Sequence, residues 1–335
     1  MKIINANAQY LDPNGLHPYS FMEKVGRICY KSEDKITDTS ATKFILGLFK
    51  NKHTAMLEHA HIILKMNKEE IVTLSKTLND VISYKSSKET NVPYLHITIN
   101  DKNDDNGNYL SGSFRTFINL LDTNVNDLTI IHNNIQTILS QNYPEIFTTP
   151  INHDGSTGDI VLLSRNEFIN DAKNAYKSKD DYNAVISKHL VHTVLFTCDR
   201  GVTHEFVRHR PASFSQESTR YCNYSNAKFG EEITVIKPCF YEENSYLYEL
   251  WKQGCENDEY IYFELLKNGA IAQQGRDNLP TSLKTELVIT ATENEWQHII
   301  NLRYHGTTGA PHPQMKEVME IAYPSLVTES EQRLS

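Results

Sequence analysis

The run Leu190-Val191-His192-Thr193-Val194-Leu195-Phe196 constrains this chain more than any other stretch. It is apolar and rich in β-branched residues, the pattern of a buried strand. Cys198-Asp199-Arg200-Gly201 then turns the chain into a short helix expected over 202–208. That helix delivers Arg208-His209-Arg210-Pro211-Ala212-Ser213-Phe214-Ser215-Gln216-Glu217-Ser218-Thr219-Arg220-Tyr221, which holds three Arg, one His, three Ser and a Gln-Glu pair. Arg presents a rigid fork of donors suited to phosphate or to the face of a heteroaromatic ring. Ser hydroxyls add short-range donors and acceptors. On composition alone, a solvated basic loop is an equal reading.

The chain around this stretch is acidic, with a net charge of -9 over 335 residues. That argues against general nucleic-acid binding, which shows as a basic surface. It leaves room for anionic small molecules, because a local Arg cluster can dominate the potential inside a cleft. Hydrophobic residues make up 39% and charged residues 22%, enough for one large or two modest domains with a sizeable core. No apolar run approaches the ~20 residues of a membrane span. The N-terminus lacks the apolar core of a signal peptide, so the expected location is cytoplasmic. Cys29, Cys198, Cys222, Cys239 and Cys255 are widely spaced, and the 14 His show no zinc-hydrolase spacing, so no metal site is expected.

Periodicity predicts a short strand near the N-terminus and a helix over 40–50 with Ala41, Phe44, Ile45, Leu48 and Phe49 on its apolar face. His53-Thr54-Ala55-Met56-Leu57-Glu58-His59 reads as a loop-to-strand junction, followed by strand-like alternation over 61–66. Helices are expected near 68–84, 111–122 and 127–142. Polar breakers separate them at Asp101-Lys102-Asn103-Asp104-Asp105-Asn106-Gly107 and at His153-Asp154-Gly155-Ser156-Thr157-Gly158. Ser111-Gly112-Ser113-Phe114-Arg115 reads as a helix cap rather than a phosphate site. Further on, a strand over 233–236 and an amphipathic helix over 243–267 are expected. That helix carries Leu247, Leu250, Trp251, Tyr262, Leu265 and Leu266 on or near one face. Gly275 to Pro280 breaks the chain before a helix over 281–302. The last helix, near 314–322, precedes a polar tail.

The Arg-rich stretch closely resembles the signature of the flavin-dependent thymidylate synthases, RHRxxSxNExSxRY in one-letter form. Arg208, His209, Arg210, Ser213, Ser218, Arg220 and Tyr221 sit on its fixed positions, while Ser215 and Gln216 replace its Asn and Glu, with Glu217 one place later. His53, Glu58 and His59 match the family's His-x-x-x-x-Glu-His at its flavin site. The resemblance implies cofactor contacts from His53, Glu58, Arg208, His209, Arg210 and Gln216, with His59 holding local structure. It implies nucleotide contacts from Glu205, Arg208, Gln216, Glu217, Ser218, Thr219, Arg220, Arg276 and Arg303. Asn301-Leu302-Arg303 follows Leu279-Pro280 at the family's spacing, so Arg303 would contact the uracil and Arg276 the phosphate. Thr292, Asn294 and His298 fall where members place flavin contacts, commonly Asn, Arg and Asn.

The implied reaction is reductive methylation of dUMP to dTMP, with FAD as cofactor and methylenetetrahydrofolate and NADPH as co-substrates. Arg303 and Ser218 are the catalytic candidates. Ser218 stands at a position once considered for a nucleophile, but with no general base visible it reads better as a nucleotide-binding group. Lys237-Pro238-Cys239-Phe240 has a superficial likeness to the thiolate site of the unrelated classical enzymes, and a half-buried structural Cys is the stronger reading. The implied fold is α+β: one curved, mostly antiparallel sheet carrying the 60–66 and 190–197 strands, packed by long helices. The catalytic core would comprise 1–66 and 189–335, with 67–188 an inserted, mainly helical subdomain of unreadable role. Active sites shared in a homo-oligomer, a tetramer by the resemblance, are expected, without nucleic acid or membrane partners. The rivals are another NADPH–flavin oxidoreductase and an Arg-rich RNA- or phosphate-binding module. The module would need an aromatic stacking platform that the sequence does not show beside the Arg cluster.

Overall fold

The computed structural model describes residues 1–84, 94–100, 106–123, 126–151 and 154–331. In chain order, β1 (Lys2–Ile4), β2 (Asn7–Tyr10), α1 (Pro18–Tyr30), α2 (Ser40–Lys50) and β3 (His61–Lys65) open the chain. A 3₁₀ helix, Thr54–His59, leads into β3. Then follow α3 (Lys68–Tyr84), β4 (His96–Thr98), β5 (Tyr109–Ser113), α4 (Phe114–Leu121), α5 (Thr129–Asn142), β6 (Val161–Leu163), α6 (Arg165–Ala175) and α7 (Lys179–His189). The C-terminal part holds β7 (Val191–Asp199), α8 (Arg200–Phe206), β8 (Ser213–Gln216), β9 (Thr234–Ile236), α9 (Tyr246–Lys267) and α10 (Ala272–Gly275). It ends with β10 (Lys284–Thr292), α11 (Glu293–Arg303) and α12 (Pro313–Glu331).

The fold is mixed α and β, but the expected single sheet is two. Strands β2-β7-β10-β8 form one four-stranded sheet and β4-β5-β3-β6 another, while β1 and β9 pair in parallel. The 61–65 and 191–199 strands therefore lie in different sheets. Each has its own antiparallel partners: β3 pairs β5 from His61↔Ser113 to Lys65↔Tyr109, and β7 pairs β10 from Asp199↔Lys284 to Val191↔Thr292. The 67–188 segment adds strands β4, β5 and β6 around β3 as well as helices. It also shares one core with the N-terminal part, where Ile45, Leu57 and Leu64 pack with Ile71, Phe114, Phe117 and Ile135. The second core, under the other sheet, joins Val194, Phe196, Phe206, Trp296, Ile299, Met315 and Val318.

Local chemistry explains most boundaries. Helix α1 begins with His17 as cap and Pro18 inside its first turn, and ends at Lys31 in the left-handed region, φ 49°. Helix α6 carries a full capping box between Ser164 and Glu167. Ser113 caps α4, as expected, by accepting from the Thr116 N–H. Residues 111–113 before it, however, belong to strand β5 rather than to that helix. The helix expected over 281–302 is half strand. Val288, Ile289, Thr290 and Thr292 are β-branched, Leu287–Thr290 lies between β7 and β8, and the helix starts only where Thr292 caps the Glu295 N–H. Along α9, Tyr262 is buried and Trp251 and Leu266 pack beside it, whereas Leu247, Leu250 and Leu265 are exposed. The last helix extends to Glu331, well past the expected end. The breaker residues Asp101 to Asp105 and His153 lie outside the described residues. Among the described residues, no helix is long and apolar enough to cross a membrane.

Candidate active site

Strand β7 runs into α8 through Asp199, whose carboxylate caps the helix by accepting from the Val202 N–H at 2.9 Å. Val202, Thr203 and Phe206 anchor the buried side of α8. The chain then leaves the helix with the His209 N–H on the Phe206 carbonyl, and Arg208 and Arg210 point to the exposed side while His209 is buried. Strand β8 follows, paired to the middle of β10 from Ser213↔Thr290 to Gln216↔Leu287. Its alternation buries Ser213 and Ser215 and leaves Phe214 and Gln216 half-buried.

Helix α11 brings the other half. Arg303, in its last turn, donates from Nε to His209 Nε2 at 3.0 Å and pairs through one terminal nitrogen with Glu205 Oε2 at 2.7 Å. A second terminal nitrogen reaches the Glu205 carbonyl at 3.4 Å. His209 also meets His298 edge to face, with ring centroids 5.9 Å apart. Burial, with Arg303 and His298 as further causes, pushes the His209 imidazole down to about 4. It is therefore neutral at pH 7 and able to accept from the guanidinium. Glu295, buried one turn before His298, has Oε1 without a hydrogen-bond partner, and burial pushes its carboxyl up. Sequence reasoning misses this residue, although Glu295-Trp296-Gln297-His298 carries both groups at helical one-turn spacing.

The remaining expected residues fall into several settings. Gln216 donates to the Thr203 and Thr285 hydroxyls at 3.0 and 3.3 Å. Ser215 is buried against the Met56 sulfur. Glu217 is buried and committed to Lys284 at 2.9 Å, within a network that adds Lys31 and Glu286. Burial alone would lower Lys284 and raise Glu286, and the pairing outweighs it in both, so Lys284 lies above and Glu286 below its ordinary value. Ser218 Oγ accepts from the Arg220 N–H at 3.3 Å. Among the described residues, no His or carboxylate is hydrogen-bonded to that hydroxyl. Thr219 is buried, and Arg220 is exposed with its guanidinium 5.8 Å from the centre of the Tyr221 ring.

His53 and Tyr221 border one open groove of about 680 Å³ together with Arg27, Tyr30, Lys35 and Lys43. Glu58 pairs with Arg115 at 2.5 Å, and buried His59 is hydrogen-bonded to Thr290. Thr292 caps α11 while Asn294 and His298 are exposed along it. Arg276 stands apart: it is exposed and pairs with Asp277 at 3.9 Å, and none of its described bonds reaches the signature. Arg303, Glu205, His209 and His298 are thus brought together, and Arg276 is not joined to them.

Comparison with known proteins agrees with the signature. The family model for Thymidylate synthase complementing protein matches residues 171–326, just under half of the chain. That stretch contains the Arg-rich segment and Arg303, the residues on which the resemblance seen in the sequence rests. A flavin-dependent thymidylate synthase of Thermococcus onnurineus is 37% identical over 106 residues, 32% of this chain and 42% of that protein. The Pyrococcus abyssi protein of the same description is 37% identical over 106 residues, 32% of this chain and 43% of its own. The chain thus spans less than half the length of these curated relatives. Among solved structures, a UMP/dUMP methylase PolB from Streptomyces cacaoi, bound with 5-Br dUMP, is 20% identical over 44% of this chain and 76% of that one. Its TM-score of 0.35 is too low to bear on this fold.

Proposed function

We propose that this chain is a flavin-dependent thymidylate synthase, methylating dUMP reductively to dTMP with methylenetetrahydrofolate and NADPH. The observation that carries the reading is the closure of Arg303 onto Glu205 and His209, positions 98 and 94 residues away in sequence. Two motifs that resemble one family's signature, far apart in the chain, meet as a single cationic site.

The residues present fit FAD. Arg208, Arg210 and Arg220 are exposed around the signature, and the groove by His53 offers cations and the Tyr30 and Tyr221 rings. Such a set suits a diphosphate and a flat heteroaromatic ring. When bound, the flavin supplies hydride transfer, from NADPH onto the transferred one-carbon unit. The chain's own part is electrostatic. Arg303, oriented by Glu205 and by neutral His209, stabilises negative charge developing on the uracil. Arg208, Arg220 and Arg276 answer the nucleotide phosphate. Ser218, its oxygen accepting from a backbone N–H, has its own O–H to donate and serves binding rather than attack.

On this reading, 1–66 and 189–335 form the catalytic core and 67–188 is an elaboration around β3. A homo-oligomer, with a tetramer the family's form, is supported by apolar exposure on α9, where Tyr246, Leu247, Leu250 and Tyr260 face outward. The test is product formation: the purified chain with dUMP, methylenetetrahydrofolate, NADPH and FAD is assayed for dTMP, omitting one component at a time. Product that requires all four supports the reading, and product in none of the mixtures sinks it.

A further inference from the structure

Glu295 is a buried carboxylate with no assigned work. It is 8% exposed, and its Oε1 has no hydrogen-bond partner. A buried carboxylate without a partner is costly unless a cation or a proton answers it. Two histidines stand beside it. One ligand atom each from His209, Glu295 and His298 lie within 4.8 Å of one another. Two imidazoles and one carboxylate are the donor set of an open-position zinc centre. An ion with bonds of about 2.0–2.1 Å holds tetrahedral ligands roughly 3.4 Å apart. Rotation of the exposed His298 side chain along α11 can supply that closure.

We propose that His209, Glu295 and His298 form a binding site for a divalent transition-metal ion of the zinc class. The site is coupled to Arg303. At present His209 Nε2 accepts from Arg303 Nε at 3.0 Å. A neutral imidazole has one lone-pair nitrogen and one N–H. If Nε2 takes the ion, Arg303 is displaced from it. If Nδ1 takes the ion, the proton sits on Nε2 and faces the Arg303 N–H, donor against donor. Ion and hydrogen bond exclude each other in both cases. Metal binding therefore frees Arg303 from His209 while leaving its pair with Glu205, so the residue given to the uracil is held at one edge instead of two. This last step rests on the proposed role of Arg303, whereas metal binding itself does not.

The test uses the full-length chain, stripped with EDTA, titrated with Co²⁺ and followed by visible d–d absorption, then challenged with Zn²⁺. The expected result is one Co²⁺ per chain with bands of tetrahedral strength, bleached by Zn²⁺. His298→Asn, at an exposed position, weakens binding at least about tenfold. Glu295→Gln does the same, and Arg303→Ala tightens binding by removing a competing cation. No tetrahedral band at saturating Co²⁺, or a His298→Asn variant that binds like the parent, overturns the proposal. The bands are read without flavin or nucleotide, so failure of the thymidylate synthase reading leaves this result standing, and the reverse.

Discussion

Arg303 Nε donates to His209 Nε2 at 3.0 Å, and the bond holds only because His209 is neutral. Burial keeps that imidazole near 4, far below its ordinary 6.5. The guanidinium thus has an acceptor on one side and the Glu205 carboxylate on the other. A planar donor fork fixed at both edges is preorganised for charge that develops on a bound ring.

Arg303→Ala should therefore lower dTMP formation by about 10²–10³-fold, the usual cost of removing a charge-stabilising donor. Reduction of bound flavin by NADPH should survive. Both are measurable on one preparation, by product assay and by anaerobic bleaching. Near-normal dTMP formation by the variant would remove Arg303 from the chemistry.

Cys239 is exposed rather than half-buried as expected, and the partial burial it keeps, together with Glu317, holds its thiol above the ordinary value, the wrong direction for a thiolate nucleophile. Cys239→Ala should keep dTMP formation within about twofold, since the proposed reaction needs no thiol and surface substitutions rarely cost more than ~0.5 kcal/mol. Loss of turnover with retained folding would revive a thiolate mechanism.

Glu217 is 3% exposed and pairs with Lys284 at 2.9 Å. Glu217→Gln leaves Lys284 and Lys31 short of one carboxylate, and breaking a buried pair typically costs about 3–5 kcal/mol. The remaining Glu286 shares both lysines, so the lower end of that range is expected. Urea denaturation should show the loss as a lower midpoint with unchanged slope. A midpoint equal to the parent's would mean that the network contributes nothing.

Acid should destabilise the fold through its histidines. Burial pushes His61 down to about 3 and His96 to about 4, and His189 lies well below its ordinary value. His61 and His96 rings are 6.4 Å apart, and His189 is hydrogen-bonded to Ser111 and Thr98 through its two nitrogens at 2.7 Å each. All three are neutral when folded and charge readily only when unfolded. Their stabilising contribution is complete above about pH 6.5 and is lost as pH falls towards 4 and then 3. The thermal midpoint should drop across that window, and a midpoint flat from pH 7 to 4 would contradict the assignment.

Much of the local structure was legible in the sequence. Helix α2 and helix α3 run over the expected residues, because their apolar spacing and flanking polar residues agree. Strand β7 was legible from its β-branched run. The failures share a cause. Residues 284–292 are a strand because β7 pairs them along their whole length and β8 adds a second partner to Leu287–Thr290, and local periodicity does not record partners. The separation into two sheets is hidden for the same reason. At the site, the Arg-His-Arg stretch and Arg303 were visible through their resemblance and spacing. Glu295 was not, since a carboxylate in the first turn of a helix reads as an ordinary dipole partner until its burial is known. The network of Glu217, Lys31, Lys284 and Glu286 likewise depends on register between β8, β10 and the end of α1.

The most direct measurement is an anaerobic visible spectrum of the chain with FAD, taken through addition of NADPH and then of dUMP with methylenetetrahydrofolate. The account predicts bleaching by NADPH, followed by reoxidation only when both substrates are present, with dTMP formed in step. No flavin binding under any condition would contradict it and return the Arg-rich stretch to a phosphate-binding role. Bleaching without dTMP would keep the flavin and contradict the nucleotide half.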